Sequence, residues 1–262
     1  MELRLDNKTA LVCGSSQGIG RCIAEQFAEM GANLVLVARD EEKLKEVCDS
    51  LTNNGSQSHT YIAADFSDPD DAAGKIYRHT MDSTTATILV NNTGGPKPGT
   101  LRTEEPRNFY NAFNMHVIMS QMLVQILLPG MKQANFGRII NVISIGVKQP
   151  IDNLGVSNTI RGAMNSWAKT MAAEVAQYGV TVNNLLPGQT DTERLRSLIS
   201  NIALREGKSE EQVEQEMIAK IPLGRLGNPK ELAYAAGFLA SDRAAFITGT
   251  NIPIDGGFLR GL

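Results

Sequence analysis

Along the chain, short apolar runs alternate with longer stretches in which apolar residues recur every three or four positions. The runs are "TALVC" (9–13), "NLVLVA" (33–38), "HTYIAA" (59–64), "TILVN" (87–91), "RIINVI" (138–143), "VTVNNLL" (180–186) and "NIPI" (251–254). Most are apolar throughout rather than at every second residue, the pattern of strands covered on both faces in a parallel sheet. Between them the spacing is helical: Ile19, Ile23 and Phe27 fall four apart, and Gly31 supplies a stop. Strand and helix in strict alternation predict an α/β fold, a doubly wound parallel sheet of Rossmann type with about seven strands and helices on both faces. There is no linker, repeat or low-complexity tract, so residues 1–262 read as one domain.

Two regions break the rhythm. Residues 108–131 are apolar on nearly every face, which predicts a deeply buried helix or one in a subunit interface. Residues 191–222 intervene before the last helix and strand. There Leu195, Leu198, Ile199 and Ile202 form one apolar stripe, and Val213, Met217, Ile218 and Ile221 another. An amphipathic insertion at this point is either a helical lid over a site or a peripheral helical pair.

Composition narrows the function classes. The 262 residues are 42% hydrophobic and 20% charged, with a net charge of −3 and no basic stripe. That excludes nucleic acid as the main partner. Cys13, Cys22 and Cys48 match no zinc or redox spacing, and no metal site is expected. The N-terminus lacks a signal pattern, and no apolar run approaches the ~18 residues that span a bilayer, so a cytoplasmic protein without a membrane partner is expected.

The first chemistry lies in "CGSSQGIG". Gly14, Gly18 and Gly20 follow the first strand and open the first helix. Glycines there permit a tight turn and a close backbone approach, and a helix N-terminus attracts a pyrophosphate. The alternative is a plain tight turn. The second strand ends in "VARDEEKL". Where an NAD site places a carboxylate for the ribose hydroxyls, this chain has Ala38 followed by Arg39. A guanidinium matches a 2′-phosphate, so NADP(H) is favoured over NAD(H); otherwise Arg39 pairs with Asp40 or Glu42 on the surface.

These pieces, with "AADFSD", "NNTGG", "NMHV", "GRIINVIS", "NNLLPGQTDT", "IPLGRLGNPKELA" and "ITGTNIPIDGG" in this order, make the chain resemble the short-chain dehydrogenase/reductase family over nearly its whole length. The nearest likeness is to the 3-oxoacyl-[acyl carrier protein] reductase-like branch. The resemblance implies that Gly14, Ser16, Gln17, Gly18, Ile19 and Gly20 hold the pyrophosphate and adenosine ribose. It places Asp65 and Phe66 beside the adenine, with a helix cap as the other reading of Asp65. Asn91, Asn92 and Gly94 would pack beside the adenosine half and steady the central strand; Thr93 stands where alanine is usual. Pro187, Gly188, Thr190 and Thr192 would line the nicotinamide.

Family members reduce a carbonyl with an Asn, Ser, Tyr and Lys tetrad. Asn114 and Ser144 match the first two. The Tyr-x-x-x-Lys segment corresponds to "GVSNTIRGAM", so that Ser157 replaces the tyrosine and Arg161 the lysine. An aliphatic hydroxyl is a far weaker acid than a phenol, whose pKa is about 10. Arg161 can supply charge and hydrogen bonds but cannot relay a proton. Lys148, four residues after Ser144, is the replacement donor to test if burial beside Arg161 lowers its pKa; as a solvated loop lysine it has no such role. His116 reads as a packed or interface histidine, and Asp152 and Asn153 as turn formers.

Two functions are compatible with these residues. One is an NADP(H)-dependent oxidoreductase that reduces a small-molecule or acyl-carrier-linked carbonyl, such as a 3-oxoacyl thioester in fatty acid metabolism. The other is a non-catalytic NADP(H)-binding protein with a sensor or assembly role. The apolar segment 108–131 and "GAMNSWAKTMAAEVA" offer close-packing helix surfaces; the resemblance implies pairing of such helices into closed dimers and tetramers, and a homotetramer is expected.

Overall fold

The computed structural model describes residues 3–82 and 86–261. Seven strands form one sheet: β1 Thr9–Cys13, β2 Asn33–Ala38, β3 His59–Ala63, β4 Ile88–Asn91, β5 Gly137–Val142, β6 Val180–Pro187 and β7 Asn251–Ile254. Their order is β3-β2-β1-β4-β5-β6-β7, and every pairing is parallel. β1, β4 and β5 are buried at every position, which explains why those runs lack a polar face.

The helices are α1 Gly18–Glu29, α2 Glu41–Ser50, α3 Pro69–Asp82, α4 Pro106–Phe113, α5 Met119–Ala134, α6 Gly155–Val175, α7 Glu193–Glu206, α8 Glu210–Ile218 and α9 Pro229–Ala240. They feed two large cores, one on each face of the sheet. Ile23 and Phe27 of α1 pack with α9 residues on one side, and Leu123, Leu127 and Met131 of α5 pack with Ala168 and Met171 of α6 on the other. α1 ends at Glu29 with Met30 as its cap; Gly31 follows at φ +95, the left-handed conformation that releases the chain toward β2.

The apolar segment around 108–131 is two helices joined by a π-turn at Asn114–Ile118. Pro106–Ala134 is 29 residues long with a best-window mean hydropathy of 1.3, enough to cross a membrane by length and composition. This corrects the sequence reading that no run approaches that length. The inner face of α5 is packed against the sheet, while Tyr110, Phe113 and Ile118 stay exposed.

One feature of the sheet was not anticipated as a unit. Asn91, Asn141, Asn184 and Asn251 sit in register on β4 to β7. Asn91 Nδ2 donates to Asn141 Oδ1, Asn141 Nδ2 to Asn184 Oδ1, and Asn184 Nδ2 to Asn251 Oδ1, each at 2.8 Å. Buried amides are costly unless they are paired, so this relay favours the relative register of the four adjacent strands β4 to β7.

Candidate functional site

The strand order reverses direction at β1, between β2 and β4, and the carboxyl ends of β1 and β4 open there into a crevice. Ligands bind at such a switch point in open α/β sheets. The turn from β1 into α1 is made by backbone fit. Gly14 and Gly18 have φ of +60 and +57. A methyl on Gly20 would collide with the Gly14 carbonyl and the Asn92 amide. Asn92 Nδ2 donates to the carbonyls of Cys13 and Gly14 at 3.2 and 3.3 Å, and Ser15 Oγ accepts from Val37 N at 3.1 Å. The turn is therefore tied to both neighbouring strands. α1 starts at Gln17 with no side-chain cap and no acid in its first turn. Its free N–H groups suit an anion.

A cavity of about 410 Å³ lies over this turn. Gly14, Ser16, Gln17, Gly18 and Ile19 form its floor, and Arg39, Asp65, Phe66, Asn92 and Gly94 its sides. Ala38 leaves room beside Arg39, and among the described residues Arg39 pairs with neither Asp40 nor Glu42; Asp40 instead caps α2 and faces Lys43. Lys43 lines the same cavity, which adds a second cation that the sequence reading missed. It is legible only as the residue four beyond Arg39 once α2 is known to start between them. Asp65 accepts from Ser67 N at 2.9 Å and lines the cavity; it does not cap α3, a place taken by Asp68, which accepts from Asp71 N at 3.2 Å. Gly20 packs beneath the turn. The Asn91 side chain is committed to the amide relay, and no atom crowds Gly94.

A second cavity of about 690 Å³ adjoins the first and shares Ile19, Asn92, Thr93, Thr192 and Arg194 with it. Ser144, Ser157, Arg161, Pro187, Gly188 and Thr190 line it. Ser144 ends the β5 segment, and its Oγ accepts from Gly146 N at 2.9 Å. Ser157 and Arg161 are four apart on α6 and so face the cavity together. Arg161 is 7% exposed; its Nη1 donates to Val142 O at 2.8 Å and its Nη2 to Thr93 O at 3.5 Å. Burial and the nearby Arg194 push its pKa down to about 9, so it remains a cation at neutral pH. Thr192 caps α7 through Leu195 N, and Thr190 Oγ1 donates to Gly188 O, which holds this side of the cleft in shape.

Two of the catalytic candidates fall outside the cleft. Lys148 is exposed after the short turn Ile145–Val147 and does not line either cavity. The burial beside Arg161 that would have tuned it is not there, because the turn carries it outward. Asn114 is exposed at the start of the π-turn and also lines neither cavity. Its neighbour His116 turns inward instead. His116 is 3% exposed, and Nε2 has no partner. Burial, and then the charges of Arg161 and Arg194, hold its pKa well below the usual histidine range. Asn153 is left-handed at φ 60 in the turn before α6, the turn role expected of it.

The insertion at 191–222 contains α7 and α8. They share a small core of Leu195, Ile199, Ala203 and Val213. Leu198, Ile202 and Met217 complete the outer wall of the larger cavity.

A family model described as enoyl-(acyl carrier protein) reductase matches residues 14–259. The chain belongs to the short-chain dehydrogenase/reductase family, an oxidoreductase family. Within it the chain sits near the 3-oxoacyl-[acyl-carrier-protein] reductases: that of Vibrio cholerae, FabG, is 34% identical over 97% of this chain and 98% of its own. The NADPH-dependent reductase BacG of Bacillus subtilis is 30% identical over 98% of this chain and 100% of its own. Among solved structures, L-sorbose reductase from Gluconobacter frateurii, complexed with NADPH and L-sorbose, superposes with a TM-score of 0.94 at 31% identity, covering 100% of both chains.

Proposed function

We propose that this protein is an NADP(H)-dependent reductase of a carbonyl compound, either a 3-oxoacyl thioester or a related oxo compound. The observation that carries the reading is the junction of the two cavities, which joins an anion-ready glycine turn to Ser144 and Arg161. The residues fit the cofactor: free N–H groups at α1 for the diphosphate, and Arg39 with Lys43 for a 2′-phosphate. The NADPH-bound relative and the NADPH-dependent reductase named above support the choice. When bound, the reduced nicotinamide supplies the hydride.

The chain's own part is to hold the oxygen. As the carbonyl carbon is reduced, charge develops on its oxygen. The Ser144 hydroxyl and the Arg161 guanidinium present donors and positive charge from the cleft wall to that oxygen. A preorganised donor of this sort is worth roughly 10²–10³ in rate. Among the described residues no tyrosine or histidine lines either cavity; in this reading the proton comes from the Ser157 hydroxyl or from water entering the cleft. Replacing a positioned acid in this way costs roughly 10²–10⁴ in rate, which describes a slow reductase rather than an inert one. In this reading residues 191–222 act as a lid on a single domain, and the exposed Tyr110, Phe113 and Ile118 serve a homotetramer.

The test is NADPH binding by fluorescence, followed by NADPH oxidation with 3-oxoacyl thioesters and small ketones. Turnover that falls by roughly 10²–10³ in Ser144→Ala is the expected result. Tight binding with no turnover across the panel would favour the non-catalytic reading.

A further inference from the structure

The charge balance of the larger cavity points to the substrate. Its carboxylates are mostly spoken for. Glu206 is held by Arg205 at 3.0 Å and by Lys208 at 3.0 Å, and Lys208 also holds Glu216 at 2.9 Å. Asp152 is exposed. Two of its three arginines are in the opposite condition. Arg161 is buried and meets only two backbone carbonyls. Arg194, in the first turn of α7, has no hydrogen bond or ion pair among the described residues, although its guanidinium lies tightly over Gly95. It lines both cavities where they join, and it is close enough to Arg161 for the two charges to act on each other. Two unneutralised guanidinium groups at one junction carry a cost that an anion would remove.

Beyond that junction Leu195, Leu198, Ile202, Met217 and Phe258 supply apolar wall, and the charged groups Arg205, Glu206, Glu216 and Lys220 also line the cavity. The occupant that suits this arrangement has an anionic group near the reacting carbonyl and an apolar tail. We propose that the substrate is an oxo acid with a free carboxylate close to its ketone, and that Arg194 is the residue that selects the carboxylate. This rests on the reductase reading above and narrows it within the related oxo compounds. Arginine suits the task because its planar fork grips a carboxylate through two parallel hydrogen bonds. The diphosphate of the cofactor is the competing claimant for Arg194, but the uncapped N-terminus of α1 would supply donors to that group.

The experiment compares 3-oxohexanoate and 4-phenyl-2-oxobutanoate with their methyl esters. Binding to the NADP⁺-loaded protein is measured by calorimetry, and turnover with NADPH by absorbance, for the wild type, Arg194→Gln and Arg194→Lys. At least one acid is expected to bind roughly thirtyfold or more tightly than its ester, and Arg194→Gln should erase that ratio. Arg194→Lys should restore part of it, and the affinity for NADPH should stay close to wild type in both. Esters that bind as well as acids, or no acid binding to the loaded protein, would overturn the proposal. So would Arg194→Gln weakening NADPH while leaving the acid-to-ester ratio intact, since the arginine would then serve the cofactor. Failure of the wild type to bind NADPH or NADP⁺ would instead strike the reductase reading beneath it.

Discussion

The glycine turn and the corner formed by Ser144, Ser157 and Arg161 adjoin one another, yet they are built on different principles. The turn works through its backbone. Positive φ at Gly14 and Gly18, the close approach at Gly20 and the uncapped start of α1 make the cradle, and side chains only brace it. The corner works through side chains held on a fixed frame. β5 and α6 present positions 144, 157 and 161 to one cavity whatever residues stand there. A backbone device tolerates little substitution, because losing a glycine loses the shape. A side-chain device can change its chemistry at constant shape, and the family resemblance implies such a change at Ser157 and Arg161, in place of a phenol and an amine, with the frame kept.

The largest effect expected from breaking this contrast lies in the corner. Ser144→Ala removes the hydroxyl beside Arg161 and should lower kcat by roughly 10²–10³, about 2.7–4 kcal/mol in barrier. Stability and NADPH affinity should stay near wild type, because the bond lost is a local one to Gly146 N. Single-turnover kinetics with saturating NADPH would show it. The turn predicts the reverse split. Gly20→Ala forces a methyl against the Gly14 carbonyl. It should cost about 1–3 kcal/mol of stability and weaken NADPH binding in parallel. Urea unfolding and a fluorescence titration test both; a variant with wild-type stability and impaired turnover alone would collapse the distinction between the two regions.

Much of this was legible in the sequence, and the exceptions share a cause. "TALVC", "NLVLVA" and "NIPI" coincide with β1, β2 and β7, and the other runs end within a residue of their strands. Buried parallel strands must be apolar, and that constraint acts on each run separately. The asparagine relay was not legible as a unit. Asn141 looks like one polar blemish in "RIINVI"; its meaning depends on Asn91 and Asn184, which lie 50 and 43 residues away. Arg194 was missed for a similar reason. It reads as one charged residue in an amphipathic helix, and only the tertiary junction sets it against Arg161. The packed position of His116 was expected from its apolar surroundings and is found; the outward turn of Asn114 depends on a π-turn that apolar periodicity does not encode.

His116 gives a smaller effect that sharpens the picture of the corner as a cationic place. Its pKa in the folded protein lies well below the ordinary 6.5, through burial first and the two arginines second. As the pH falls below about 6.5, the unfolded chain takes up a proton that the folded chain refuses. Stability should therefore drop with a slope approaching ~1.4 kcal/mol per pH unit until the folded pKa is passed. At neutral pH and above, this contribution is fully present. Unfolding measured between pH 7 and pH 5 should show the slope in the wild type and a shallower one in His116→Gln. Equal slopes would mean that the corner does not repel a proton there.

The smallest expected effect is at Lys148, and it tests the frame itself. Ser144 and Lys148 are only four residues apart, so an inward-facing lysine would have replaced the missing acid. The turn Ile145–Val147 instead carries Lys148 to the surface. A solvated lysine there contributes little to stability, and Lys148→Ala should stay within about 0.5 kcal/mol of wild type. Its pH–rate profile should also coincide with that of the wild type. A loss of turnover approaching that of Ser144→Ala would mean that the loop folds inward over bound substrate. The corner would then owe its chemistry to a moving backbone, and the contrast with the glycine turn would be one of rigidity rather than of side chains.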